Sequence, residues 1–259
     1  KAGKKTIAFD FDETIGHFKH LKMIYQCFNS LSQHELNALL DIFPEFFRPG
    51  IMAIMEFLAK KKKSGYICKL CIYTNNQSNG DWVQMVANYI QAKTKCDNLF
   101  DDIIKAFKQG NKIIEMRRTT RSKSYADYVS CIMLPEDTIE TCFIDDKYFE
   151  KMLGDRVYYI LPNAYYHKLS KVTMIKRIMS CSAFKYFPQL EMKLVNKLSD
   201  NEYANDGLTF EQEIAITKKI MYYVREYLYY PKLPSANTTR RKSKHKHRST
   251  HKIDINHDL

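Results

Sequence analysis

Short apolar runs alternate with longer stretches of helical spacing along the first 165 residues. Residues 6–11 read Thr-Ile-Ala-Phe-Asp-Phe, the unbroken apolar pattern of a strand buried on both faces. Within 28–43, Leu36, Leu39 and Leu40 fall at helical spacing behind Ser32, a good N-cap. Pro49-Gly50 opens a second amphipathic helix, Ile51–Lys63, whose closing lysines at 60–63 suit the negative end of the helix dipole before Ser64-Gly65 stops it. The same reading gives a strand at 67–73, a helix at 81–94 with Trp82, Met85, Val86, Tyr89 and Ile90 on one face, and a strand near 103–107. A helix at 125–134 follows, then strands at 141–144 and Val157–Leu161. Beyond Pro162 the pattern is helical and ends in 209–229, opened by Thr209 and Gln212 as a variant capping box. The methionine and aromatic residues of 220–224 and 227–230 recur at helical spacing and read as packing surface. Strands separated by helices predict an α/β fold with a parallel sheet.

Composition narrows the class. A chain of 259 residues, 45% hydrophobic and 27% charged, can bury a real core in one or two domains, which excludes full disorder. No apolar stretch approaches the roughly 20 residues of a membrane span, so no membrane partner is expected. Lysines at 1, 4 and 5 run into only four apolar residues, too few for a secretory leader, and the expected location is intracellular, cytoplasmic or nuclear. Seven cysteines in apolar or mixed surroundings read as reduced thiols. Cys68 and Cys71 invite a zinc reading, but residues three apart on a strand point to opposite faces and do not converge on one ion.

The net charge of +12 is unevenly placed. Residues 232–259 hold eight Lys or Arg against Asp254 and Asp258, with Pro234, four histidines and almost nothing apolar. Such a segment does not offset its own ordering entropy, so it is expected to be a disordered basic tail. Arg240-Arg241-Lys242-Ser243-Lys244-His245-Lys246-His247-Arg248 reads either as a nuclear-localisation or nucleic-acid-binding segment or as a solvated tail with no specific partner. The expected organisation is a core at 1–165, a helical extension at 166–231 packed on it, and the tail.

Three strands end in polar residues of complementary kind. The first ends Asp10-Phe11-Asp12-Glu13-Thr14, the second Thr74-Asn75-Asn76, and a later one Asp145-Asp146. In an open parallel sheet the crevice lies beyond the carboxyl ends of the strands, so these residues converge. Asp10 and Asp12, two apart, face one side while the strand persists. Gathering Asp10, Asp12, Asp145 and Asp146 is costly unless a cation sits among them, and an all-oxygen set with room for phosphate suits Mg²⁺. A carboxylate beside Mg²⁺ is a competent nucleophile toward phosphorus, and a second carboxylate can protonate the leaving oxygen and then activate water. Thr74, with Asn75 beside it, offers polar contacts to phosphate, and a lysine is expected to balance the remaining charge.

These residues resemble the haloacid-dehalogenase superfamily, whose phosphatases carry Asp-x-Asp-x-Thr, a strand-end Ser or Thr, a Lys and a final acidic pair. Asp10-Phe11-Asp12-Glu13-Thr14-Ile15-Gly16-His17 is similar to the opening motif of the small C-terminal-domain phosphatases, also called NLI-interacting-factor-like phosphatases, and Phe47-Arg48-Pro49-Gly50 to their Arg-Pro segment. The likeness covers roughly residues 5–165. It implies a Rossmann-like core with a minimal cap, Asp10 as nucleophile, Asp12 as general acid and base, Thr74 as phosphate ligand and Asp145 as metal ligand. Mg²⁺ would also take an Asp10 oxygen and the Asp12 backbone carbonyl. Lys123 fits the family order, with Lys105, Lys108 and Lys112 as rivals. Asp146 follows Asp145 immediately, a departure that leaves its own metal contact open. His17 reads as a packed histidine, since acid and base are already supplied. Arg117, Arg118 and Arg121 read either as guides for a phosphorylated chain or as a solvated loop. The implied function is a Mg²⁺-dependent phosphatase acting on a phosphorylated protein. A polynucleotide phosphatase is the second reading, because Thr74-Asn75-Asn76-Gln77 is similar to a segment of that branch. A nucleic-acid or partner-binding protein acting through its basic tail is the third.

Overall fold

The computed structural model describes residues 3–78, 81–199, 207–229 and 251–255. In chain order its strands are β1 (Lys4–Phe9), β2 (Lys69–Tyr73), β3 (Asp102–Ile104), β4 (Lys108–Gln109), β5 (Lys112–Ile113), β6 (Ile139–Ile144), β7 (Val157–Leu161) and β8 (His251–Asp254). Six of them form one sheet in the order β3-β2-β1-β6-β7-β8, every pairing parallel, while β4 and β5 make a separate antiparallel hairpin. The helices are α1 (Lys19–Tyr25), α2 (Gln33–Asp41), α3 (Ile51–Lys63), α4 (Trp82–Thr94), α5 (Tyr125–Ile132), α6 (Lys171–Ser180), α7 (Leu190–Lys197) and α8 (Phe210–Tyr229). This is the expected α/β architecture, a Rossmann-like parallel sheet flanked by helices with a helical C-terminal region.

The strands are apolar on both sides because both sides are covered. Ile7, Phe9, Leu70, Ile72, Cys142, Ile144 and Ile160 pack into one cluster with α1–α4 and α6–α8. Their neighbours Ala8, Cys71, Tyr73, Phe143, Val157 and Tyr159 pack into a second cluster with α5. The period-2 alternation of a strand sorts the residues between the layers. Helices α6, α7 and α8 contribute Met174, Ile178, Leu194, Ile216, Ile220 and Val224 to the same core as α1–α4. No helix among the described residues is long and apolar enough to cross a membrane. All seven cysteines are free thiols; Cys71 is buried within β2, while Cys68 is exposed just before that strand begins, so the strand-face argument does not apply to it.

Two expectations about local structure need correction. The stretch 28–43 is helical only from Gln33 to Asp41, opened by a full capping box of Ser32 and Glu35, and a separate short helix, α1, comes before it. The tail is not structureless throughout. His251–Asp254 pairs with β7 as the sixth strand, because Ile253 and Ile255 alternate toward the core and Ile255 is buried. Residues 232–250 and 256–259, where the disordered-tail reading otherwise falls, lie outside the described residues.

Candidate active site

The order of strands around β1 places the site. From β1 the chain crosses to β2 on one side, and on the other side β1 borders β6, so the connections part between β1 and β6 and open a crevice at their carboxyl ends. Asp10 leaves β1 with its N–H still bonded to the Ile144 carbonyl at 2.8 Å, and Asp145 leaves β6 with its N–H on Ile160 at 3.2 Å. Both carboxylates therefore start from fixed backbone. The chain then turns sharply at Glu13, whose φ of +60° is a left-handed conformation that side-chain-bearing residues avoid. Gly16 closes the turn where nothing larger fits, since a Cβ there would lie 2.5 Å from the Phe46 carbonyl.

Arg48 holds this turn from beneath. It is 1% exposed. Its guanidinium donates to the carbonyls of Thr14 (2.9 Å), Glu13 (2.8 Å) and Asn163 (2.6 Å) and pairs with Glu213 on α8 at 2.7 Å. The Thr14 hydroxyl donates to Asp146 at 2.9 Å and its oxygen accepts from the Asp146 N–H at 3.0 Å, which ties the loops after β1 and β6 together.

Carboxylate oxygens of Asp10, Asp145 and Asp146 lie within 4.8 Å of one another. Lys123, 1% exposed at the start of α5, inserts its Nζ between two of them, donating to Asp10 and to Asp145 at 2.6 Å. One cation serving two buried carboxylates is itself well served. Burial works against its charge, yet Asp10 and Asp145 outweigh that and hold its pKa above the ordinary lysine value. Asp145 fares differently, because burial and the charge of Asp10 push its carboxyl up despite Lys123. Burial likewise raises Asp146. Three carboxylates against one ammonium leave excess negative charge that a further cation would relieve, and the donor atoms are all oxygen, which fits a hard divalent ion.

The Asp12 carboxylate stands outside that trio. It accepts a hydrogen bond from the Asn76 amide at 2.6 Å, and burial raises its pKa to about 6. Of the expected metal ligands, then, Asp10, Asp145 and Asp146 come together and the Asp12 side chain does not. A strand would have aimed Asp10 and Asp12 alike, but β1 ends at Phe9, so the period-2 argument lapses before Asp12. Glu13 is pushed up to about 7, by burial first and then by Asp12.

Thr74 lies at the end of β2, 1% exposed, its oxygen accepting from the Asn76 N–H at 2.9 Å so that its proton is free to turn toward a ligand. The Asn75 side-chain amide oxygen, Oδ1, accepts from Arg118 at 2.7 Å. Arg118 is the surprise of the basic loop. Neither reading of Arg118 as an exposed guide or as a solvated residue holds: it is 1% exposed and clamps the carbonyls of Thr74 and Lys105 at 3.0 and 2.9 Å. Arg117 and Arg121 are exposed. Among the rival lysines, Lys105 reaches toward Asp81 and Lys108 packs over Phe107, while Lys112 is exposed; only Lys123 is in contact with Asp10. His17 is buried, its Nδ1 against the His167 carbonyl at 3.0 Å. Asn76 is a contributor to which the sequence assigned no role, and Arg118 one to which it assigned a different role. Asn76 carried a signal, since it belongs to the polar run that ends a buried strand.

Compared with models of known protein families, with curated proteins and with solved structures, the chain matches none.

Proposed function

We propose that this chain is a Mg²⁺-dependent phosphatase of the haloacid-dehalogenase type, acting on phosphomonoesters of proteins through a phosphorylated Asp10. The observation that carries the reading is the Lys123 amine set between Asp10 and Asp145 at the crevice between β1 and β6, with Asp12 held apart by Asn76. Asp10, Asp145 and Asp146 would hold the ion, which supplies positive charge against the phosphate oxygens.

An Asp10 oxygen attacks phosphorus, and the P–O bond to the alcohol breaks as Asp12 gives its proton to the departing oxygen. Asp12, now a carboxylate, takes a proton from water as that water attacks the same phosphorus. The bond to Asp10 then breaks, inorganic phosphate leaves, and both carboxyl groups return to their starting states. Lys123 and the Thr74 hydroxyl face growing negative charge, and the burial that raises Asp12 keeps its proton available up to about pH 6, well above the ordinary carboxyl range.

Release of phosphate from a phosphoserine peptide and from a 3′-phosphorylated oligonucleotide, each with and without Mg²⁺, tests the proposal. Hydrolysis of the peptide only with Mg²⁺ is expected; preference for the oligonucleotide would move the substrate class, and inactivity on both would refute the enzyme.

The role of Asp12 has its own test. The acid form prevails below its raised pKa of about 6 and is lost as pH rises through that value, so cleavage of the serine ester should decline above it. Asp12→Asn should slow the serine ester about 10²–10⁴-fold, the usual size of general-acid catalysis, and an aryl phosphate far less, because a phenolate leaves without a proton. Equal losses on both substrates would remove Asp12 from that role.

Lys123→Met leaves Asp10 and Asp145 facing each other. Breaking a buried ion pair ordinarily costs about 3–5 kcal/mol, but Asp145 is already disposed to take up a proton, so about 2 kcal/mol is expected here. Thermal melts should show a lower Tm in chelator and a larger gain on adding Mg²⁺ than in the unmodified protein, together with a sharp drop in turnover. A Tm that ignores Mg²⁺ in both proteins would count against an ion at these carboxylates.

A further inference from the structure

Helices α3, α4 and α8 all run from the crevice side of the sheet to its opposite edge. Helix α3 starts beside Arg48 and ends just before β2; α4 follows β2 and ends before β3; α8 carries Glu213 in its first turns, against Arg48, and ends near Lys5. At about 1.5 Å per residue α3 and α4 span about 20 Å and α8 about 30 Å, so their far ends lie well away from the carboxylate crevice. The chain is unusually basic there. A groove of about 620 Å³ opens between the ends of α3 and α4, and five lysines line it, Lys60, Lys62, Lys63, Lys93 and Lys95, against the one carboxylate of Glu56. Lys62 is engaged by Asp101 at 2.8 Å and Lys93 by Asp41 at 2.6 Å. Lys60, Lys63 and Lys95 are exposed and have no carboxylate partner among the described residues. Complementing two helix dipoles does not require so many.

Beside the groove is an aromatic surface of a kind that soluble proteins usually cover. Tyr66 is 50% exposed and Tyr229 53%. Their rings meet edge to face at 6.0 Å, and the Lys61 Nζ lies 4.7 Å from one centroid and 5.0 Å from the other. Phe57 continues the row, with Lys61 on it at 5.6 Å and the Arg225 guanidinium at 5.1 Å. Unpaired lysines take phosphates of any sequence, and exposed tyrosines offer faces on which bases stack. An acidic protein would use the lysines but has no need of the rings.

We propose that this edge of the sheet binds single-stranded nucleic acid, its phosphates along Lys60, Lys63 and Lys95 and its bases on Tyr66 and Tyr229. The site is separate from the carboxylate crevice and does not depend on the phosphatase reading. It is also distinct from the basic run at 240–248, whose contribution the test isolates.

Fluorescence anisotropy of the full chain with a labelled 20-nucleotide oligothymidylate, titrated at several salt concentrations, tests it. Lys60→Glu, Lys63→Glu and Lys95→Asn combined should weaken binding about tenfold or more and flatten the plot of log affinity against log salt by about 2, the loss of three phosphate contacts. Asn is chosen at 95 because the residue has φ +52°. Tyr66→Ala should weaken binding about fivefold or more with the salt slope unchanged, since stacking is not ionic. An unmodified chain that does not bind, or a triple variant with native Tm and native affinity, would overturn the proposal. So would binding lost only when the basic residues of 240–248 are replaced. If a polyglutamate peptide displaces the oligonucleotide charge for charge and Tyr66→Ala changes nothing, the surface serves an acidic protein instead and the nucleic-acid assignment fails.

Discussion

Asp10→Asn should reduce phosphate release to background, a loss on the order of 10⁴-fold or more, while the protein stays folded. An amide has the shape of the carboxylate but lacks the charge and the lone-pair reactivity needed to attack phosphorus, so the loss belongs to chemistry and not to packing. The electrostatics predict the stability side as well. Asp10 is one of three carboxylates within 4.8 Å, and Lys123 retains Asp145 as a partner at 2.6 Å when Asp10 is neutral. Removing one negative charge from that group relieves repulsion, and the metal-free Tm should be unchanged or higher, while the gain in Tm on adding Mg²⁺ shrinks. Single-turnover mass spectrometry gives the direct readout: a transient addition of one phosphoryl group to the peptide bearing Asp10 in the unmodified protein, absent from the variant. Turnover in Asp10→Asn within tenfold of the original would remove Asp10 as the nucleophile, whatever its place in the fold.

Much of this arrangement was legible in the sequence because strands buried on both faces are written as short apolar runs, and polar residues that interrupt such runs have few reasons to be there. Asp10, Thr74 and Asp145 each follow an apolar run, and each lies at the carboxyl end of its strand. What was not legible depends on pairing at a distance. The direction of the Asp12 side chain turns on where β1 stops. The burial of Arg118 turns on carbonyls of Thr74 and Lys105, which lie 44 and 13 positions away in the chain. Strand β8 is two alternating isoleucines in a polar setting, a signal that becomes persuasive only when β7 offers an open edge. Helix α1 is seven residues long with no side-chain cap, below the length at which periodicity is readable.

The second large effect is expected at Arg48, which acts through the backbone of the turn after β1. Arg48 and Glu213 are each 1% exposed, and the guanidinium also satisfies three backbone carbonyls. Arg48→Met strands all of them. Removing one member of a buried ion pair costs about 3–5 kcal/mol, chiefly because the other charge is left without a partner. At about 2–4 °C per kcal/mol for a chain approaching this size, the Tm should fall by roughly 10 °C. Glu213→Gln keeps a hydrogen-bonding group opposite the guanidinium and should cost less. Arg48→Met combined with Glu213→Leu removes the unpaired carboxylate and should recover part of the Tm. Activity should not recover with it. The carbonyls of Glu13 and Thr14 would still lack their donor, and Thr14 is the residue that fixes Asp146 through two hydrogen bonds. The double variant should therefore melt closer to the original protein yet turn over about tenfold or more slowly with KM little changed, the signature of a loop that has lost its geometry and not its ligand. Full recovery of kcat along with Tm would show that α8 contributes only stability and that the turn after β1 holds its shape without Arg48.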